Sequence, residues 1–198
     1  GQALELQLDE YKISDQSGSI RARIQFFGHV IGDEARSGLN YDVAIEFYAG
    51  SSQVAVELGV HNENAAIHPV GVSDLGDPGS RYFKHFSLDL TPTDGETFDC
   101  IRWKNQLEQD WQHAERALDI YQESSGGSNW RSSVHKNQHG LVPLKHCGAR
   151  CTADGADLAI EKRPSPVVSA RSNTHTASAV IREFWQNFPS AVSCDQRS

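Results

Sequence analysis

Two stretches decide the fold: SIRARIQFFG at residues 19–28 and YDVAIEFY at residues 41–48. Polar and apolar side chains alternate along both, and a period of two residues is typical of a strand with one buried face. A turn of four residues at 49–52 separates the second stretch from another alternating segment at 53–58. This spacing predicts an antiparallel hairpin.

Strand patterns continue along the rest of the chain. Further strands are predicted at residues 82–90, 140–146, 158–162, 167–171 and 177–184. Residues 103–121 fit a short helix or a broken pair of strands equally well. Many short strands without βαβ alternation indicate a mainly β fold. We therefore predict an antiparallel β-sandwich or barrel-like domain with at most one or two short helices, spanning residues 1–198 as a single domain.

Charge and hydropathy exclude two classes of partner. The formal net charge is -8, and the resulting field repels polyphosphates and anionic lipid surfaces. We therefore predict no nucleic-acid partner. No apolar run approaches the roughly 20 residues that a membrane-spanning helix needs, so no membrane span is predicted either.

The cysteines indicate an oxidising compartment. Cys100, Cys147, Cys151 and Cys194 form an even set, and four cysteines allow three pairings. The Cys147–Cys151 spacing lacks the second close pair of a zinc site, so disulfides are the favoured interpretation. The chain also has no methionine, from which we expect a processed or excised polypeptide. An extracellular or periplasmic location is predicted.

A polar segment at residues 61–80 is the candidate metal site. Asp74 and Asp77 lie in a turn-rich sequence there, and such oxygen ligands suit calcium. The same carboxylates would also cap tight turns by bonding to the backbone. His61 and His68 match no compact zinc spacing. Calcium is thus the only cofactor considered, and no other is predicted.

The loop at residues 124–137, SSGGSNWRSSVHKN, is the candidate binding site. An exposed tryptophan beside polar side chains can stack a sugar ring and bond to its hydroxyls, although Trp130 could equally anchor the loop in the core. The predicted ligand-binding residues are Ser125, Asn129, Trp130, Arg131, His135 and Asn137. The aromatic residues of FWQNFP at 184–189 are predicted to serve mainly as core. No Gly-x-Ser-x-Gly elbow is present, which argues against a hydrolase triad.

Five stretches resemble a known family. They are FYAG at 47–50, HNENAAIHPVGVSDLGDPGS at 61–80, FSLDL at 86–90, YQESSGGSNWRSSVHKN at 121–137 and FWQNFP at 184–189. In this order they resemble the N-terminal RIFT-barrel-like β-domain of the exo-rhamnogalacturonan lyase family and its bacterial relatives. The resemblance implies a carbohydrate context and, in longer relatives, a following (α/α) toroid associated with the lyase reaction. We expect this chain to lack that toroid and to be non-catalytic alone.

Three functions remain open at this point. The first is an extracellular domain that frames or binds a glycan through residues 124–137. The second is a structural protein that self-associates through exposed strand edges. The third is a complete small polysaccharide lyase, in which His135 or His139 would act as the base and Arg131 would neutralise a uronide carboxylate. No catalytic residue is assigned.

Overall fold

The chain is almost entirely β-structure. The computed structural model describes residues 5–14, 18–31, 38–64, 79, 81, 83, 85–92, 95–137 and 139–196. Within these residues it contains 12 strands and a single 3-10 turn, Ser133–His135. This confirms the predicted mainly β, antiparallel fold. The residues gather into two compact units, 1–85 and 86–198, which we call the N-terminal and C-terminal units, and the single-domain assignment stays a prediction.

The N-terminal unit is a four-stranded antiparallel meander in the order β1-β2-β3-β4. Its strands are β1 (Glu5–Ile13), β2 (Arg21–Ile31), β3 (Leu39–Tyr48) and β4 (Val54–Asn62). The last three confirm the strands predicted from alternation. Phe26 lies opposite Val43, and Val43 lies opposite Leu58, so apolar side chains line up in rows on one face of the sheet.

The C-terminal unit contains two antiparallel sheets, in the orders β11-β10-β5-β6 and β12-β7-β8-β9. The strands are β5 (Cys100–Lys104), β6 (Gln112–Ala114), β7 (Ala117–Gln122), β8 (Ala149–Ala153), β9 (Ala156–Leu158), β10 (Val167–Arg171), β11 (Thr176–Val180) and β12 (Ser190–Asp195). Residues 103–121 thus form broken strands rather than a helix. Ile101 and Trp103 of the first sheet pack with Leu118 and Ile120 of the second and with Phe184, all nearly inaccessible to solvent.

Three predicted strands are wrong. In the segment 158–162 only Leu158 belongs to a strand, as the last residue of β9. Residues 140–146 form turns and irregular backbone without strand pairing. Part of this backbone is bonded to a side chain instead, because the N–H groups of Lys145 and His146 donate to Glu123 Oε1. In the segment 82–90, the described residues 83 and 85–90 are not in a strand either. Phe86 and Leu88 alternate as in a strand but lie exposed, and a strand needs a neighbour to pair with.

The cysteines are free thiols in the structure: Cys100, Cys147, Cys151 and Cys194. A direct bridge between Cys151 and Cys194 does not fit the sheet, because they lie opposite β7 on its two sides, facing Ile120 and Leu118 respectively. Two strand spacings place them about 10 Å apart, beyond the ~7 Å Cα limit of a disulfide. Burial raises the pKa of Cys151 to about 11 and also raises the pKa of Cys194. Both therefore serve as core residues, and the predicted disulfides are not seen.

Candidate functional site

The loop at residues 124–137 follows β7, and two buried side chains fix its start. Ser124 is fully buried; its Oγ donates to the carbonyl of His146 (2.8 Å) and accepts from the N–H of Gly148 (2.8 Å). Glu123 is also buried, and its Oε1 accepts from the N–H of His146 (2.9 Å). Buried polar groups that are bonded in this way hold the backbone in one position. The loop therefore leaves the sheet from a rigid base.

The second carboxylate oxygen of Glu123 forms an ion pair with Arg150 of β8. Arg150 Nη2 lies 3.2 Å from Glu123 Oε2, and the guanidinium of Arg150 stacks 5.2 Å from the ring of Tyr121. Burial, followed by the negative charge of Glu123, raises the pKa of Tyr121. The tyrosine thus stays neutral at physiological pH beside a compensated ion pair.

Gly126 and Gly127 leave the space that Arg163 occupies next to the loop. A Cβ at Gly126 would lie 2.8 Å from the carbonyl oxygen of Lys162, and one at Gly127 would lie 2.6 Å from Arg163 Nη2. Gly126 also has a φ of 68°, which favours glycine. The space lets Arg163 Nε donate to the carbonyl of Ser125 (2.8 Å). Any side chain at residue 127 would have to displace the guanidinium.

One tryptophan–arginine pair lies in the loop, and a second is linked to the loop through Arg163. Trp130 is half-buried, its backbone N–H donates to the carbonyl of Gly127 (3.3 Å), and the guanidinium of Arg131 lies 5.4 Å from its ring centre. Trp185 is also half-buried, with the guanidinium of Arg163 at 4.5 Å. Such distances are typical of cation–π contacts. Both rings therefore keep solvent-accessible area beside a charged donor.

Besides the link through Arg163, a direct aromatic contact joins the loop to residues 184–188. The ring of His135 meets the ring of Phe188 edge-on at 5.5 Å between centroids. We call the resulting set the cation–aromatic surface, and it consists of Ser125, Trp130, Arg131, His135, Arg163, Trp185 and Phe188.

Asn129 and Asn137 have different positions from the rest of the predicted set. Asn129 is exposed and its carbonyl accepts from the N–H of Ser132 (3.0 Å). The side-chain oxygen of Asn137 accepts from the N–H groups of His139 (2.9 Å) and Leu141 (3.2 Å). Asn129 can therefore reach a ligand at the rim, whereas the Asn137 oxygen is engaged in its own turn.

Arg163, Trp185 and Phe188 are the members of the surface that sequence reasoning missed. Arg163 lies 38 positions from Ser125, and no local pattern links the two. In FWQNFP, Phe184 is buried as predicted for core, but Trp185 and Phe188 are only half-buried. The glycine pair 126–127 was the available signal, because adjacent glycines often mark a close approach by another part of the chain.

The calcium prediction falls outside the described residues, since Asp74, Asp77 and His68 are among those the structure does not describe. His61 pairs with Asp42. The neighbouring Asn62 accepts from the N–H of Asn64 (3.1 Å), a turn-forming bond. In the described part of the chain, no group of three or more His, Cys, Asp or Glu side chains is placed to hold a metal ion.

Comparison with known proteins gives no relative: no protein-family model, no curated protein and no solved structure matches the chain. The resemblance to the lyase family therefore stays a prediction. Among the described residues, none of the helical structure has the length and apolarity required to traverse a bilayer.

Proposed function

We propose that this chain is a glycan-binding β-domain that uses the cation–aromatic surface of its C-terminal unit. The observation that carries the proposal is the pair of half-buried tryptophans, Trp130 and Trp185, each with an arginine over its ring. A sugar presents an apolar face of C–H groups that packs on an aromatic ring. Its hydroxyls accept from a guanidinium, which carries five donors. The surface offers both kinds of contact twice.

The rigid start of the loop supports the same proposal. Ser124 and Glu123 fix the backbone before Trp130, and Arg163 ties Ser125 to a second segment. A surface that is ordered before the ligand arrives loses less conformational entropy on binding. Weak individual contacts to a sugar can then give measurable affinity.

The family resemblance agrees with a carbohydrate role, and we propose an extracellular setting in a lyase-like protein. Binding is favoured over elimination, because His135 contacts the ring of Phe188 and Arg131 contacts the ring of Trp130. A base and a carboxylate clamp would have to face one sugar together, the base at the carbon next to the carboxylate and the arginine at the carboxylate itself. The arrangement therefore favours a binding domain over a complete lyase.

Affinity gel electrophoresis tests the proposal. The unmodified protein is run through gels that contain pectic, other uronate-containing or neutral polysaccharides, and at least one should retard it. Trp130→Ala should raise the dissociation constant obtained from the retardation by roughly 5–30-fold, since truncating a central aromatic contact costs about 1–2 kcal/mol. Trp111→Ala is the matched control, because Trp111 also lies beneath cations, Arg102 and Lys104, but is not part of the surface.

Two results would contradict the proposal. One is the absence of retardation of the unmodified protein in every gel. The other is equal retardation of Trp130→Ala and Trp111→Ala while both keep the circular-dichroism spectrum of the unmodified protein.

A further inference from the structure

The N-terminal unit has one sheet face that is apolar and open to solvent over most of its extent, although Val30, Leu39 and Tyr41 on it are buried. The register places alternate residues of all four strands on this face. Side chains of both edge strands on it are exposed, with 64% of Tyr11, 63% of Ile13 and 42% of Leu58 accessible. Further exposed members are Leu6, Leu8 and Val54. We call it the apolar sheet face.

Charge is confined to the opposite face of the same sheet. There Arg23 donates to Glu46 and Glu57, each at 2.7 Å, and His29 lies 2.9 Å from Asp9. Among the described strand residues, the apolar sheet face carries no Asp, Glu, Lys, Arg or His. A face without charge can meet a copy of itself without opposing like charges, which is the requirement of a two-fold symmetric contact.

The size of the face also suits a second copy. Four strands about 4.8 Å apart and nine residues long at about 3.3 Å each cover at most roughly 570 Å². Two such faces together would bury at most about 1,150 Å², near the lower end of stable protein–protein interfaces. The patch also lies at the upper end of the roughly 300–600 Å² that a monomer commonly leaves open.

We propose that two copies of this chain associate face to face through the apolar sheet face. The sheets would stack about 10 Å apart with interdigitated side chains, as in a β-sandwich. This differs from association through strand edges, because here the faces and not the backbone edges meet. It does not depend on glycan binding, whose surface lies in the C-terminal unit.

Sedimentation velocity over a range of protein concentrations tests the proposal. The unmodified chain of 21.9 kDa should sediment as a dimer of about 44 kDa at micromolar concentration. The double variant Tyr11→Lys/Leu58→Lys places a charge at each end of one cross-strand row. It should raise the dissociation constant by at least ~100-fold, because unpaired charges are costly to bury. The matched control Gln7→Lys/Ala55→Lys adds the same charges to the polar face and should leave the dimer intact.

A strictly monomeric unmodified protein near 1 mM would overturn the proposal. So would a Tyr11→Lys/Leu58→Lys variant that folds and dimerises as before, since that result would indicate association through edges. If that variant fails to fold, the fluorescence of 1-anilinonaphthalene-8-sulfonate with the unmodified protein decides instead. Dye emission per mole should rise as dilution separates the copies, and constant emission across the dilution series would refute the interface.

Discussion

Ser124→Ala removes the buried hydroxyl that fixes the start of the binding loop. In the folded protein this hydroxyl donates to the carbonyl of His146 and accepts from the N–H of Gly148, both at 2.8 Å. Alanine fits the same space but bonds to neither group. The N–H of Gly148 is buried with the serine, so water does not replace the lost partner there.

The expected loss of stability follows from these two bonds. A buried group left without its partner costs about 1–3 kcal/mol, and a bond at a partly exposed group is worth about 0.5–1.5 kcal/mol. The N–H of Gly148 belongs to the first class and the carbonyl of His146 to the second. Their sum predicts that the free energy of unfolding falls by about 1.5–4.5 kcal/mol. With a urea m-value of about 2 kcal/mol/M, the midpoint falls by roughly 1–2 M.

Tryptophan fluorescence is a selective assay for this change. The chain has four tryptophans, at positions 103, 111, 130 and 185, and all lie in the C-terminal unit. Urea unfolding followed by tryptophan emission therefore reports on the unit that contains Ser124. Ser128→Ala is the control, because Ser128 is exposed in the same loop. A change below about 0.5 kcal/mol for Ser124→Ala, similar to the control, would refute the reasoning.

Two further predictions concern Asp154 and Cys151. The carboxylate of Asp154 accepts from the backbone N–H groups of Glu115, Ala117 and Arg116, which lower its pKa. The ionised Asp154 therefore stabilises the folded protein above the pKa of the carboxyl in the unfolded chain, near 3.9. This stabilisation is lost as the pH falls through the lower pKa of the folded protein. In the unmodified protein the urea midpoint should fall between about pH 5 and 3, and in Asp154→Asn it should fall less. An unchanged pH dependence would contradict the role of Asp154 as an acceptor for these N–H groups. Burial, followed by the charge of Asp119, raises the pKa of Cys151 to about 11, so iodoacetamide at pH 8 should alkylate Cys151 only after unfolding. Equal labelling rates in folded and unfolded protein, or a Cys151–Cys194 bridged peptide in an unreduced digest, would be contrary results.

The strands that sequence predicted well are those whose pattern is local and uninterrupted. β3 alternates over most of its length, β10 is a short, mostly apolar segment, and the bounds of both nearly match the prediction. β1 was missed because a bulge between Leu8 and Glu10 shifts the pairing by one residue. The apolar positions therefore run Leu6, Leu8, Tyr11, Ile13, which interrupts the period of two.

Long-range contacts account for the errors. The backbone at residues 140–146 was predicted as a strand, but Glu123 takes up two of its N–H groups from more than 20 positions upstream. The same limit applies to the site. Trp130 and Arg131 are neighbours in sequence and could be predicted together, whereas Arg163 joins them only because Gly126 and Gly127 leave room for it. Side-chain contacts of this range have no local sequence pattern.

Isothermal titration calorimetry with a purified oligosaccharide from the polysaccharide that retards the protein most strongly tests the glycan-binding claim most directly. The account predicts saturable binding by the unmodified protein and its loss in Trp130→Ala/Trp185→Ala, with folding preserved in both. Undiminished affinity in the double variant would contradict it.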